Sequence, residues 1–228
     1  MKSLKRSKDI KVANSLTPAG SVRIANSIGL PSGKAYSCPG ATSICEKICY
    51  AGRLERMRPS VKNVMLHNWD LLKDADLNAM EALLVDMLTD FEAECEKWSA
   101  PKAFRIHWDG DFFNDTYAQA WANTIKRFPN IRFWAYTRVP SAAAVLKLAN
   151  LENLALYFSG DAENINIARE SGLPIAMLAD TFEEAKSYLT RGAMCPEQRK
   201  QIAMAGACVA CGICVKGKVN MTFSITKR

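Results

Sequence analysis

The chain has 228 residues, of which 49% are hydrophobic and 23% charged, and its formal net charge is +7. This length suits a single globular domain over residues 1–228, and no apolar run approaches the roughly 20 residues that cross a bilayer. The basic N-terminus lacks the apolar segment of a signal peptide, so we expect a cytoplasmic protein. In that reducing compartment, eight cysteines indicate metal binding or redox chemistry rather than disulfides.

The start of the chain is basic, with five Lys and Arg residues in the first eleven positions. They predict a mobile tail through which the protein could contact nucleic acid. The stretch SVRIANSI, residues 21–28, could add an edge strand to an α/β core that we place at residues 20–190.

Residues 38–50 read as a loop that carries three cysteines, Cys38, Cys45 and Cys49. Three thiolates cannot close a four-iron cluster, so a cluster held here would leave one iron open to a small ligand, solvent or substrate. Two other interpretations stay open. In the first, some of these cysteines are buried thiols without metal. In the second, one of them joins the C-terminal cysteines around a single metal centre.

An N-terminal helical insertion follows. Residues 59–74 and 76–98 place apolar side chains at steps of three and four, which predicts two amphipathic helices. Cys95 belongs to the apolar stripe of the second helix, and this position favours a buried core thiol over a ligand.

After residue 101 the pattern changes to short apolar runs that alternate with helical segments. This alternation predicts an α/β fold with a mainly parallel sheet or an incomplete (βα) barrel. The predicted strands are residues 103–108, 131–137, 154–160 and 173–178, and the predicted helices are residues 115–128, 141–150, 164–171 and 181–190. A cysteine-rich segment and a final strand, in KVNMTFSIT, occupy residues 191–228.

Polar residues follow three of the predicted strands at their carboxyl ends, where parallel α/β proteins build their sites. We predict that these ends converge on one catalytic cleft, with a histidine near the end of the first strand as a general base. Taken singly, such residues also cap helices, make turns or lie in the core. The predicted catalytic residues are His107, Asp109, Asp111, Ser159 and Asp161, with Tyr136, Thr137 and Arg138 beside them.

The sequence ACVACGIC contains Cys208, Cys211 and Cys214, and Cys195 precedes a proline upstream. Cysteines at this spacing wrap one metal centre, and a remote cysteine followed by proline supplies the fourth ligand in iron–sulfur proteins. We therefore predict a [4Fe-4S] cluster on these four thiolates. A structural zinc site with four cysteine ligands is the alternative, and three reduced thiols without metal are a third.

The order of these motifs resembles that of a known family. The run CPGATSICEKICYAG, then RIHWDGDFF, FWAYTR and the terminal cysteines, is similar to the gene-product-88 family of actinobacteriophages. In outline that family resembles radical-SAM enzymes, which carry three cluster cysteines in a loop after the first strand of a partial barrel. The resemblance implies a cluster on Cys38, Cys45 and Cys49, a site for S-adenosylmethionine, and an auxiliary cluster on the C-terminal cysteines. Six residues and then three residues separate the loop cysteines here, a wider spacing than the radical-SAM pattern.

Three functions are therefore open. The first is a [4Fe-4S]-dependent enzyme, in the host cytoplasm if phage-encoded, that acts on an unknown small molecule. The second is a hydrolase with a structural cluster, although no G-x-S-x-G motif is present. The third is a metal-stabilised nucleic-acid-binding or regulatory module that uses the basic N-terminus and the aromatic residues Trp108 and Trp134.

Overall fold

A computed structural model describes residues 3–8, 10–13 and 23–226. Its seven strands form one sheet in the order β1-β2-β3-β4-β5-β7-β6, and every pairing is parallel. The sheet does not close into a barrel, because β1 and β6 lie at its two edges. The predicted α/β class is confirmed. The strands are β1 (Ser27–Gly29), β2 (Ala103–Asp109), β3 (Arg132–Thr137), β4 (Leu154–Gly160), β5 (Ile175–Ala179), β6 (Ala193–Met194) and β7 (Met221–Ser224).

The helices predicted from apolar spacing are all present, and two more are found, α1 within the cysteine loop and α2 directly after it. Thr42 caps the first, since its side chain accepts a hydrogen bond from Cys45 N, and the Cys49 thiol caps the second through Gly52 N. The helices are α1 (Ser43–Ile48), α2 (Tyr50–Met57), α3 (Pro59–Leu72), α4 (Leu77–Lys97), α5 (Asp115–Arg127), α6 (Pro140–Leu148), α7 (Ile165–Glu170), α8 (Phe182–Ser187), α9 (Ala207–Cys211) and α10 (Ile213–Lys216).

The main core lies between one face of the sheet and helices α4, α5 and α6. Strand side chains alternate between the two faces, so Phe104 of β2 and Phe133 of β3 point to this core and meet Trp121 of α5. Cys95 of α4 is buried in the same core, and its thiol lies 3.8 Å from Pro101 O. This placement agrees with the predicted core thiol.

The opposite face of the sheet is covered by the C-terminal segment. Trp134, Tyr157 and Met221 point to this face, where α9 and α10 pack against them together with Cys208 and Cys214. Because both faces are covered, the strands carry apolar residues on both sides, as expected for a parallel sheet.

The N-terminal segment packs on the protein, so the prediction of a mobile basic tail is wrong. Val12 is fully buried, and Ser7 forms a β-bridge with Ser27. Two of the basic residues make ion pairs with the body of the protein, Arg6 with Glu94 and Lys11 with Glu197. Apolar anchors and paired charges hold this segment, which the charge count alone does not reveal.

The predicted edge strand near the N-terminus is present as β1, although residues 21 and 22 of that stretch lie outside the described residues. Among the helices described, none has both the length and the apolar character needed to cross a membrane.

Candidate functional site

The cysteine loop lies against the carboxyl ends of β1 to β4. We call this side of the sheet, where the parallel strands end, its carboxyl edge. Leu30, directly after β1, donates its N–H to Asp109 O at 3.0 Å. Gly40 passes so close to the end of β3 that a Cβ atom there would lie 2.5 Å from Arg138 O. A residue without a side chain is needed for this approach, and it brings the loop cysteines over the strand ends.

A buried ion pair joins the ends of β3 and β4. Arg138 Nη1 lies 2.6 Å from Asp161 Oδ2, with side-chain exposures of 7% and 0%. Asp161 also accepts a hydrogen bond from the Thr42 hydroxyl at 2.5 Å, and Glu163 accepts from both the hydroxyl and the N–H of Ser43. The ion pair thus anchors the start of α1, and with it the cysteine loop. Thr42 and Glu163 were not predicted, because nothing in the sequence marks a contact across about 120 positions.

Asp111 is a second anchor at this edge. It is buried, and its carboxylate accepts hydrogen bonds from Phe112 N at 2.7 Å and from Arg138 N at 2.8 Å. Burial raises the pKa of Asp111 to about 6, and these donors work in the opposite direction because they favour the charged form. Asp111 therefore orders the turn after β3 that carries Arg138.

Asp109 differs from Asp111 because neither of its buried oxygens has a hydrogen-bond partner of good geometry. Burial, and after it the neighbouring Glu55 carboxylate, raises the pKa of Asp109 to about 9. Glu55 in turn accepts from Ser32 N at 2.9 Å and from Ser32 Oγ at 2.6 Å. The site therefore contains a protonated carboxyl group at neutral pH. Glu55 was not predicted, because nothing in its charged sequence neighbourhood marks it as buried.

The three loop cysteines lie close to these acidic and basic groups. Burial, then the charge of Asp111, raises the pKa of the Cys38 thiol well above its usual range. Burial also raises the pKa of Cys45, which interacts electrostatically with Arg138 and Cys49. Cys38 and Cys45 therefore lie beside the charged groups at the carboxyl ends of the strands.

His107 and Ser159 are not brought together. The His107 imidazole turns into the main core, where Nε2 lies 3.1 Å from the Tyr117 hydroxyl and Nδ1 has no partner. Burial lowers the pKa of His107 to about 3. Ser159 is partly exposed at the end of β4, and no base of the described chain hydrogen-bonds to its hydroxyl. This geometry counts against His107 as a general base.

A bulge in β2 explains the position of His107. Ser27 pairs with Arg105 and Gly29 pairs with Asp109, so β2 contains two extra residues there, and His107 has a φ of 60°. Regular alternation would place His107 on the same face as Arg105. The bulge turns it to the opposite face instead.

The C-terminal cysteines gather on the other face of the sheet. The Cys214 thiol pairs with the Tyr136 hydroxyl and interacts electrostatically with Cys195 and Cys211, and burial raises its pKa to about 11. Cys195 belongs to a separate segment of the chain, and its N–H donates a hydrogen bond to Thr222 O at 3.1 Å, which fixes its position.

An arginine borders these thiols. The Arg105 guanidinium lies over the Tyr136 ring at 5.3 Å and acts electrostatically on Cys214. Arg105 was predicted only as part of a strand, and the face to which it points depends on the register of β2.

A family model for gene product 88 matches residues 2–217. The chain belongs to this family. Within the gene product 88 family, it is 49% identical over its whole length to the "Gene 88 protein" of Mycobacterium phage L5 and equally to that of Mycobacterium phage D29, and each relative is covered completely. No solved structure matches the chain.

The described residues of this gene product 88 protein contain no group of three His, Cys, Asp and Glu side chains already arranged to hold a metal ion. The chemistry of the donor set nevertheless suits a cluster, because the seven cysteines outside the main core are partly buried and none of them forms a disulfide. Thiolates are the ligands of both iron–sulfur clusters and structural zinc. A metal centre at either place would require the thiols to move closer together.

Proposed function

We propose that this protein is an iron–sulfur protein that carries out chemistry at the carboxyl edge of its sheet. The observation that carries the proposal is the assembly around Cys214. Cys208 from the same short motif and Cys195 from a distant segment pack with Cys214 against the same face of the sheet. A run of closely spaced cysteines with a remote fourth ligand is the arrangement that a [4Fe-4S] cluster uses.

A second group of thiols extends the proposal to a reactive site. Cys38, Cys45 and Cys49 follow β1 and lie over the strand ends, in the position that the radical-SAM outline implies for cluster cysteines. A cluster with three thiolates supplies electron transfer and an open iron when bound, and S-adenosylmethionine is the ligand that the resemblance implies there. The substrate would be a small molecule held at the same edge.

The side chains of the site would serve that chemistry in distinct ways. Asp109 would hold a proton near neutral pH and could donate it to a bound substrate. Arg138 and Asp161 would keep the cysteine loop over the strand ends through their ion pair. Burial of these groups would also exclude water from the reacting atoms.

The hydrolase alternative has less support. Ser159 and His107 lack the hydrogen-bonded nucleophile–base arrangement that such chemistry needs in the described part of the chain. The nucleic-acid module based on Trp108 and Trp134 needs correction, because these side chains are 8% and 1% exposed and cannot stack on bases. Zinc in place of a cluster remains the alternative metal, and the host cytoplasm remains the expected location.

Metal content tests the proposal directly. Protein purified without oxygen should contain about four irons and matching sulfide if one cluster forms, or about eight if both do, with a broad visible absorption band. Cys208→Ser should remove about four irons, because it takes one ligand from the C-terminal set. Cys45→Ser should remove only iron bound at the loop.

Cys95→Ala is the matched control, because Cys95 is buried in the main core away from both groups. This variant should retain the iron and sulfide of the wild type. Zinc without sulfide in the wild type would reject the cluster and favour a structural zinc site. Unchanged iron in both Cys208→Ser and Cys45→Ser would reject the ligand assignment.

A further inference from the structure

The outer surface beside the cysteine loop carries five exposed basic side chains, which we call the basic face. They follow one another along α1, α2 and the start of α3, and none forms a salt bridge within the described residues. The only acid between the first and the last of them is Glu55, which is buried against Ser32. The basic face consists of Lys47, Arg53, Arg56, Arg58 and Lys62.

Helical spacing brings these charges together. Arg53 and Arg56 are three positions apart on α2, and Arg58 and Lys62 are four apart at the junction with α3. Like charges at these spacings repel by about 0.2–0.5 kcal/mol per pair. Because none of the five forms a salt bridge within the described residues, a bound external anion would relieve this repulsion. A row of cations suits a polyanion better than a single small ion.

An aromatic ring lies on the same surface. Tyr50 begins α2 and is 54% exposed, while its hydroxyl donates to Trp108 O at 3.1 Å. The hydrogen bond helps to hold the ring in place, and about half of the residue is exposed to solvent. Tyr50, Arg53 and Met57 follow at steps of three and four, so the ring, a cation and an exposed apolar side chain share one side of α2.

We propose that the basic face binds single-stranded nucleic acid, with phosphates on the arginines and a base stacked on Tyr50. Basic grooves with exposed aromatic rings are the usual means by which proteins bind single strands. The inference goes beyond the proposed function and does not depend on any metal. It also differs from binding through the N-terminus, where Arg6 and Lys11 are engaged in ion pairs.

Binding of a fluorescent single-stranded DNA of about twelve nucleotides tests the inference. Fluorescence anisotropy would be measured on the full chain between roughly 50 and 200 mM salt. The triple variant Arg53→Gln/Arg56→Gln/Arg58→Gln should weaken binding at least about tenfold. It should also reduce the slope of log K against log salt by about 2, since each lost phosphate contact contributes about 0.7.

A second triple variant controls for net charge. Lys126→Gln/Arg127→Gln/Lys186→Gln removes three exposed cations from α5 and α8, and should leave the affinity within about twofold of the wild type. Equal losses in the two triple variants would reject a specific face. Thermal unfolding of both should match the wild type, because all six residues are exposed.

The ring is tested separately. Tyr50→Leu should lower affinity by about fivefold to a hundredfold, whereas Tyr50→Phe should retain most of the affinity because it keeps the stacking surface and loses only the hydrogen bond to Trp108 O. Wild-type protein that fails to bind the strand at low salt would overturn the proposal. Binding to vesicles of anionic lipid without binding to the strand would also overturn it, and would assign the face to a membrane surface.

Discussion

Replacing Arg138 by methionine should lower the free energy of unfolding by about 3–5 kcal/mol. The substitution removes one partner of a buried ion pair and leaves the fully buried Asp161 carboxylate without its counter-charge. The Thr42 hydroxyl and Glu163 N would remain as its hydrogen-bond donors. Chemical denaturation followed by circular dichroism would measure the loss.

The same change should loosen the cysteine loop. Asp161 accepts from Thr42, which caps α1, so a displaced carboxylate weakens that cap. Amide hydrogen exchange over residues 38–49 should therefore increase more than exchange in α4.

An exposed ion pair provides the control for Arg138→Met. Lys73 and Asp70 form an i,i+3 pair at 2.9 Å with side-chain exposures of 38% and 63%. Lys73→Met should cost less than about 1 kcal/mol. The double variant Arg138→Met/Asp161→Leu should recover part of the loss, because no buried charge then remains unpaired. A loss for Arg138→Met no larger than that for Lys73→Met would contradict the role of this ion pair.

Replacing Asp109 by asparagine should change how stability depends on pH. The pKa of Asp109 is raised from its ordinary value near 4 to about 9 in the folded protein, chiefly by burial. Between these values the unfolded chain has lost the proton and the folded chain retains it. Unfolding then releases a proton, so the free energy of unfolding falls as pH rises, by up to about 1.4 kcal/mol per pH unit.

Asp109→Asn removes the titrating carboxyl group and therefore this decrease of unfolding free energy with rising pH. Relative to the wild type, the variant should gain about 2–4 kcal/mol of unfolding free energy between pH 5 and pH 8. Asp111, whose pKa is raised in the same direction, contributes equally to both proteins and cancels from the difference. Urea denaturation at several pH values would measure the gain.

Asp86→Asn, on the exposed side of α4, is the matched control and should leave the pH profile unchanged. A constant difference between Asp109→Asn and the wild type from pH 5 to pH 8 would show that Asp109 is already ionised in the folded protein.

Several features of the fold could be predicted from the sequence alone. The strand predicted at residues 154–160 is observed as β4 (Leu154–Gly160), and the long apolar stripe around Cys95 is observed as α4. These elements are long and strongly periodic, and each buries a side that the pattern reveals. Helices α1 and α2 were missed because they are short and are capped by Thr42 and the Cys49 thiol, in a stretch rich in turn-forming residues.

The candidate site was predicted in part. Asp109, Asp111 and Asp161 lie at the strand ends as expected, because parallel strands place their carboxyl ends along one edge of the sheet. The His107 side chain points into the main core instead, because a bulge in β2 turns it to the opposite face of the sheet. Local alternation cannot reveal a bulge that arises from pairing with a strand about 80 positions away.

By itself, the sequence determined the α/β class, the parallel sheet and the two groups of cysteines, because periodicity and spacing are local properties of the chain. Only the tertiary structure decided the ion pair of Arg138 with Asp161, the burial of Glu55 beside Asp109 and the meeting of Cys195 with Cys214. Each of these depends on contacts between distant segments. The charge of a buried carboxyl group likewise depends on its final surroundings, since removal from water and the nearest charges set its pKa.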